Sequence, residues 1–149
     1  MQTNEPIRSI LRRKSSELYW LSPDASVYEA IALMSAKSAG ALLVLEGDRL
    51  VGIISERDYA RKVVLMGKSS RDTLIREIMS TPVFHVNPNT SVEDCMRLMT
   101  ERRIRHLPVV ENEKVTGIVS IGDLVKWTLS EQKNQIQHLE SFIAGAYPG

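Results

Sequence analysis

Residues 21–61, LSPDASVYEAIALMSAKSAGALLVLEGDRLVGIISERDYAR, and residues 86–126, VNPNTSVEDCMRLMTERRIRHLPVVENEKVTGIVSIGDLVK, align without a gap at a constant offset of 65. Twelve of the 41 positions are identical, among them Pro23/Pro88, Ser26/Ser91, Val27/Val92, Leu42/Leu107, Gly52/Gly117, Ser55/Ser120 and Asp58/Asp123. That many matches in one register mark a tandem duplication. The likeness continues upstream, where Ile7-Arg8-Ser9-Ile10-Leu11 resembles Ile75-Arg76-Glu77-Ile78-Met79 at an offset of 68.

Each copy reads as the same local structure. Residues 18–21 and 83–86 are short apolar stretches running into Ser22-Pro23 and Asn87-Pro88, and proline, which cannot donate to a sheet ladder, marks the strand exit. Ser26 and Ser91 stand at N-cap positions. Apolar residues follow at helical spacing: Val27, Ala30, Ile31 and Met34 in one copy, Val92, Cys95, Met96 and Met99 in the other. Two β-rich runs come next, 41–45 with 50–54 and 106–110 with 115–120, each pair joined by a short polar turn that predicts a hairpin. A second helix carries Tyr59 and Val63, or Leu124 and Trp127. The unit is β-α-β-β-α, too small to enclose a core alone, so two copies must share one. Repeats at 7–66 and 75–129 are expected, with residues 62–74 as the hinge and a helical tail over 130–149 that puts Ile136, Leu139 and Ile143 on one face. The fold class is mixed α/β: small sheets packed with helices, related by a pseudo-two-fold, plus a C-terminal helix. That last helix is expected to pack on a neighbouring subunit or on its own module.

Composition narrows the function. The 149 residues carry 19 Lys+Arg against 18 Asp+Glu, a net charge of +1, with 43% hydrophobic residues. Such neutrality argues against nucleic acid as the main partner, because backbone phosphates demand a cationic excess. The longest aliphatic run, Ala41-Leu42-Leu43-Val44-Leu45, is far short of the roughly 20 residues that cross a bilayer, so no membrane partner is expected. The opening Met1-Gln2-Thr3-Asn4-Glu5-Pro6 lacks the layout of a secretion signal. A single cysteine, Cys95, excludes an internal disulfide and fits a reducing compartment, with the cytoplasm the expected location. His85, His106 and His138 are scattered, with no Cys or paired carboxylates at metal spacing, so no metal site is expected.

A proline-led β-α-β-β-α unit ending in Gly-Ile-x-Ser-x-x-Asp, present twice, resembles a pair of cystathionine-β-synthase (CBS) domains. The residues that carry the likeness are Gly52-Ile53-Ile54-Ser55-Glu56-Arg57-Asp58, Gly117-Ile118-Val119-Ser120-Ile121-Gly122-Asp123 and Arg105-His106-Leu107-Pro108-Val109-Val110. With no catalytic domain flanking the pair, the stand-alone type is implied. The resemblance implies a regulatory module, commonly a homodimer, that binds adenosine-containing ligands (AMP, ADP, ATP, NAD or S-adenosylmethionine) in the cleft between its copies.

Ser-x-x-Asp opening a helix is also a capping box, in which the serine accepts from the backbone N–H three residues on and the acid reaches back. The same geometry suits a nucleotide. A hydroxyl beside free N–H groups at a helix start seats phosphate, and one carboxylate can accept from both hydroxyls of a ribose. Losing a hydrogen bond to such a charged group costs roughly 1.5–3 kcal/mol, about 10- to 100-fold in affinity. The copies differ at one telling place: Arg105 and His106 align with the uncharged Gly40 and Ala41. The expected primary site is therefore Asp123 for the ribose, Ser120 with His106 or Arg105 for the phosphates, Ile118 near the adenine, and Ala39, Gly40 and Ala41 as a wall small enough for a purine. Asp58, Ser55, Ile53 and Arg57 form a weaker second site. Arg8, Arg12, Arg13 and Lys14 read as a solvated basic face.

No nucleophile–base pair or metal cluster stands out, so no catalytic residues are expected and the chain is read as a non-enzyme. The reading is a non-catalytic sensor of an adenine nucleotide, AMP, NAD or ATP, that needs no metal and signals occupancy to a regulated protein it does not itself name. The alternative is a dimerisation or docking module with vestigial pockets.

Overall fold

The computed structural model describes residues 5–14 and 17–146. The elements in order are α1 (Arg8–Leu11), β1 (Trp20–Leu21), α2 (Val27–Lys37), β2 (Ala41–Glu46), β3 (Arg49–Ser55) and α3 (Glu56–Tyr59), which continues as a π-turn over Ala60–Val64. After them come α4 (Ile75–Ile78), α5 (Val92–Arg102), β4 (His106–Glu111), β5 (Lys114–Ser120) and α6 (Ile121–Ala146). The mixed α/β class expected from the repeat is present, with small sheets of order β1-β2-β3 and β4-β5.

The expected caps form. Ser26 accepts from the Glu29 N–H and Glu29 reaches back to the Ser26 N–H, while Ser91 accepts from the Asp94 N–H. Both helices then end on a left-handed residue, Ser38 (φ 52°) and Arg103 (φ 55°), which turns the chain into the following strand.

The copies part at their first strand. Residues 20–21 pair in parallel with β2, Leu21 opposite Val44. The expected strand at 83–86 reduces to one bridge, Val86 opposite Val109, held by Val86 N–H to Pro108 C=O (3.0 Å) and Val110 N–H to Val86 C=O (2.8 Å). A second difference lies at the C-terminus. A helix at Leu124 and Trp127 and a separate tail from 130 were expected, yet α6 runs unbroken from Ile121 to Ala146. Between Trp127 and Ile143 no Gly or Pro interrupts it, so nothing stops propagation.

Among the described residues the chain forms two compact units, and these do not follow the sequence repeats. Residues 17–87 and 108–118 make one, which contains Asp58; residues 5–14, 88–107 and 119–146 make the other, which contains Asp123. The leading helices are exchanged. α4, just ahead of the second copy, is tied to the first: Ile75 N–H bonds to Ala25 C=O, Arg76 N–H to Pro23 C=O and Val27 N–H to Thr73 C=O. α1, ahead of the first copy, is tied to the second: Ile7 N–H bonds to Thr90 C=O, Arg8 N–H to Pro88 C=O and Val92 N–H to Glu5 C=O.

In the Asp58 unit, Val27, Ala30, Met34, Leu42, Val44, Ile54, Val63, Ile75 and Ile78 form one buried cluster. Each fully buried aliphatic side chain contributes roughly 1.5–3 kcal/mol. Gly52 on β3 lets α4 come close, since a Cβ there would lie 2.5 Å from Met79 Sδ. In the Asp123 unit the buried residues are Ile7, Ile10, Val92, Cys95, Met99, Leu107, Val119, Leu124 and Trp127; α6 packs on α1 and α5. Burial pushes the Cys95 thiol up to about 12, helped by the neighbouring Asp94, as befits the inert core residue expected at that position.

Candidate ligand-binding site

Each hairpin ends on the serine of its Ser-x-x-Asp motif, and the next residue opens a helix. In both units the residue before β2 or β4 closes the first helical N–H: Glu56 N–H donates to Gly40 C=O (3.1 Å) and Ile121 N–H to Arg105 C=O (2.9 Å). Duplicated sequence thus produces a duplicated backbone frame around each carboxylate.

Both motifs form reciprocal capping boxes. Ser55 Oγ accepts from the Asp58 N–H at 3.2 Å, and Asp58 Oδ2 accepts from the Ser55 N–H at 2.9 Å and the Ser55 hydroxyl at 3.0 Å. Ser120 Oγ accepts from the Asp123 N–H at 3.1 Å, and Asp123 Oδ2 accepts from the Ser120 N–H at 2.8 Å. The shorter Asp thus closes the box as well as Glu does elsewhere in the chain.

What surrounds the carboxylates differs. Asp58 is buried. Its Oδ1 takes the Ser80 hydroxyl at 3.3 Å and the Lys62 ammonium at 3.0 Å. Ser80 is delivered by the exchanged α4, because Ser80 and Ile53 pair as a short edge on β3. Lys62 also donates to Ile78 C=O at 2.9 Å. Both oxygens of Asp58 are occupied by the chain itself.

Asp123 keeps a side chain 25% exposed. Lys14 Nζ donates to its Oδ2 at 2.6 Å, and Oδ1 accepts no hydrogen bond among the described residues. Partial burial alone would push this carboxyl up. The Lys14 ammonium and the Ser120 N–H and hydroxyl outweigh that, so it lies below its ordinary value. It is a partly exposed anion with a cation against one oxygen and no hydrogen bond to the other among the described residues.

The remaining expected residues fall as follows. Arg105 is exposed; His106 opens β4 and is partly buried; Ile118 lies two residues before Ser120 on β5 and is partly buried. Gly122, which aligns with Arg57, has room beside it, a Cβ there meeting Ser120 Oγ at 3.6 Å. Ala39, Gly40 and Ala41 belong to the Asp58 unit, where Ala41 pairs with Ser55 across β2 and β3. Ile53 and Arg57 are partly buried on either side of Ser55.

Sequence reasoning missed Lys14, Ser80 and Lys62. Lys14 in particular was read as part of a solvated face, yet it is paired with Asp123. A signal was present. Lys14 and Ser80 both follow the upstream repeat of offset 68, so whatever binds one such segment to a Ser-x-x-Asp motif should do so twice. Two open cavities of about 400 and 470 Å³ also lie in the Asp58 unit and share Arg49, Leu50 and Val83. Among the described residues, no group of three His, Cys, Asp or Glu side chains is placed to hold a metal ion.

A tandem repeat of helix, hairpin and Ser-x-x-Asp helix start defines a class of paired domains. The family model described as "CBS domain" matches residues 7–65 and 75–130, so the chain belongs to the CBS-domain family. It is 41% identical over 133 residues to the Arabidopsis thaliana "CBS domain-containing protein CBSX3, mitochondrial", covering 86% of this chain and 65% of that relative's length. A solved "putative signal-transduction protein with CBS domains" from Burkholderia ambifaria superposes with a TM-score of 0.83 at 47% identity, covering 86% of this chain and 96% of that one. The CBS domain pair of protein MJ0100, solved in complex with 5′-methylthioadenosine and S-adenosyl-L-methionine, shares the fold at a TM-score of 0.76 and 24% identity, over 85% and 98% of the two chains.

Proposed function

We propose that this chain is a non-catalytic regulatory module that binds an adenosine-containing ligand at Asp123 and reports its occupancy to a protein partner. The observation that carries the reading is the partly exposed Asp123 carboxylate, whose Oδ1 takes no hydrogen bond among the described residues and which Lys14 and Ser120 keep ionised. A ribose diol needs such an acceptor. The ligand's phosphates need cations, and Lys14, Arg105 and His106 are the residues assigned to them. Ser120 completes the contacts proposed within this unit. The ligand class is supported by the family and by the adenosine compounds bound to the MJ0100 pair, which has this fold. AMP, NAD and ATP are the candidates, without a metal. Asp58, with Ser55, Ile53 and Arg57, is the weaker site, because a ligand there must displace Ser80 or Lys62. Signalling follows if the ligand prefers one conformational state and shifts the population toward it. The homodimer and the regulated partner belong to this reading, as does residence in a reducing compartment such as the cytoplasm. No helix among the described residues is long and apolar enough to cross a membrane.

Calorimetric titration of ligand-free protein with AMP, ATP, NAD and S-adenosylmethionine tests the reading. Binding of at least one is expected, weakened about 10- to 100-fold by Asp123→Ala. No heat from any of them overturns it. A second reading is favoured by the two completed capping boxes, which account for Ser-x-x-Asp as helix starts alone. On that reading the chain is an assembly or docking module with vestigial pockets, and it wins if the folded protein binds no nucleotide yet still captures a partner.

A further inference from the structure

Beyond Trp127, α6 buries none of its described side chains. From 132 to 141 every residue is exposed on all sides of the helix. An unsupported helix of about 12–15 residues is marginal in water, so this arm requires a partner to be stable. Its sequence says which face the partner takes. Val125, Leu129, Gln132, Ile136, Leu139 and Ile143 follow one another at steps of four, three, four, three and four. The five aliphatic members are 46%, 59%, 56%, 60% and 54% exposed in chain order. Leu124 and Trp127, which bury into the unit, lie on the other side of the helix. The spacing is that of a heptad seam, with Leu129, Ile136 and Ile143 at one core position and Val125, Gln132 and Leu139 at the other.

We infer that α6 pairs with α6 of a second copy as a parallel, in-register coiled coil. Three observations favour a second copy in this orientation. Ile136 and Ile143 at the first core position flank Leu139 at the second, the combination that favours parallel two-stranded coils over the C-terminal part of the seam. In register, Gln132 meets Gln132 of the second copy, and each amide can donate to the other; antiparallel pairing sets it against Ile136 and leaves a polar group without a partner. Parallel pairing also places Lys133 beside Thr128 of the second copy and Glu140 beside Gln135, without like charges in contact. The antiparallel arrangement brings Lys133 against Lys133. A membrane surface fits less well, since Lys126 and Lys133 are balanced by Glu131 and Glu140 and no cationic face results. With each about half exposed, the five aliphatic side chains offer on the order of 400 Å² per chain against about 800 Å² in a standard interface. The stems of Lys126 and Lys133 add to it, and the pairing is expected to be reversible and concentration-dependent.

The test uses the full chain. Leu139→Cys is expected to cross-link to a covalent dimer under mild oxidation, because like residues face each other in register; Cys95 is fully buried and does not compete. Ile136→Glu, on an exposed helix face, is expected to lower the concentration-dependent mass seen by light scattering while its circular dichroism retains the folded core. The inference is overturned if Leu139→Cys stays unlinked. It is equally overturned if Ile136→Glu leaves the mass unchanged at every concentration, or if the stripe binds neutral lipid vesicles or another protein in preference to its own copy.

Discussion

The Asp58 and Asp123 units begin from the same seven-residue motif and finish with opposite surroundings for its carboxylate. In one, the serine hydroxyl and N–H, Ser80 and Lys62 take both oxygens of a buried Asp58. In the other, Ser120 and Lys14 take one oxygen of Asp123, and the second accepts no hydrogen bond among the described residues. Local sequence makes the two capping boxes alike. The segments that arrive from elsewhere in the chain make them differ, one delivering a hydroxyl from an edge strand and the other an ammonium from a turn after α1. A buried, fully engaged carboxylate stabilises structure; a partly exposed ion is available for recognition.

The comparison can be broken most forcefully at the cores. Leu42 and Leu107 are matched in the repeat and both fully buried. Replacing either with Ala is expected to cost about 2–5 kcal/mol in chemical denaturation. If one is nearly neutral, the units are not energetically equivalent and the symmetry is one of sequence alone. Next come the carboxylates themselves. Asp58→Ala strands two partly buried hydroxyls, an N–H and an ammonium, and a stability loss of roughly 1.5–3 kcal/mol is expected. Asp123→Ala should lose less stability while losing the nucleotide affinity proposed for this site. Equal stability losses from the two substitutions would erase the distinction drawn between them.

The smallest effect concerns Lys14 and acid. Asp123 titrates below its ordinary value of 3.8 in the folded protein, so the unfolded chain binds this proton first as pH falls. The stabilisation is complete above that ordinary value and drains away as pH drops through the lower folded one. Lys14→Met removes the ammonium and moves the folded value back up. The wild-type advantage is expected to be about 0.2–1 kcal/mol near neutrality, as for a partly exposed pair, and to vanish in strong acid. Denaturant midpoints measured from neutral to acid pH read it directly, and a gap that widens in acid would show that Lys14 does not hold Asp123 ionised.

Much of the molecule was legible in the order of its residues. The duplication, the hairpins, the serine caps of α2 and α5, the core positions at helical spacing and the two Ser-x-x-Asp helix starts all rest on contacts within a few residues or on matches at a constant offset. The misses were long-range. Nothing local tells that 83–86 keeps only one bridge of a strand, because strand formation there depends on what edge β4 presents. Lys14 and Asp123 are 109 positions apart, and no periodicity links them.

What the sequence determined alone, then, is the repeated unit and the places where charge and hydroxyl could gather, since hydrophobic spacing and capping act over one or two turns. What only the tertiary structure decided is the exchange of α1 and α4 between copies, and with it which carboxylate is sealed and which is left open. Each leading helix buries Ile7 and Ile10, or Ile75 and Ile78, where the apolar surface is available. The polar side chains just behind those helices, Lys14 and Ser80, are carried to whichever aspartate lies beside that surface.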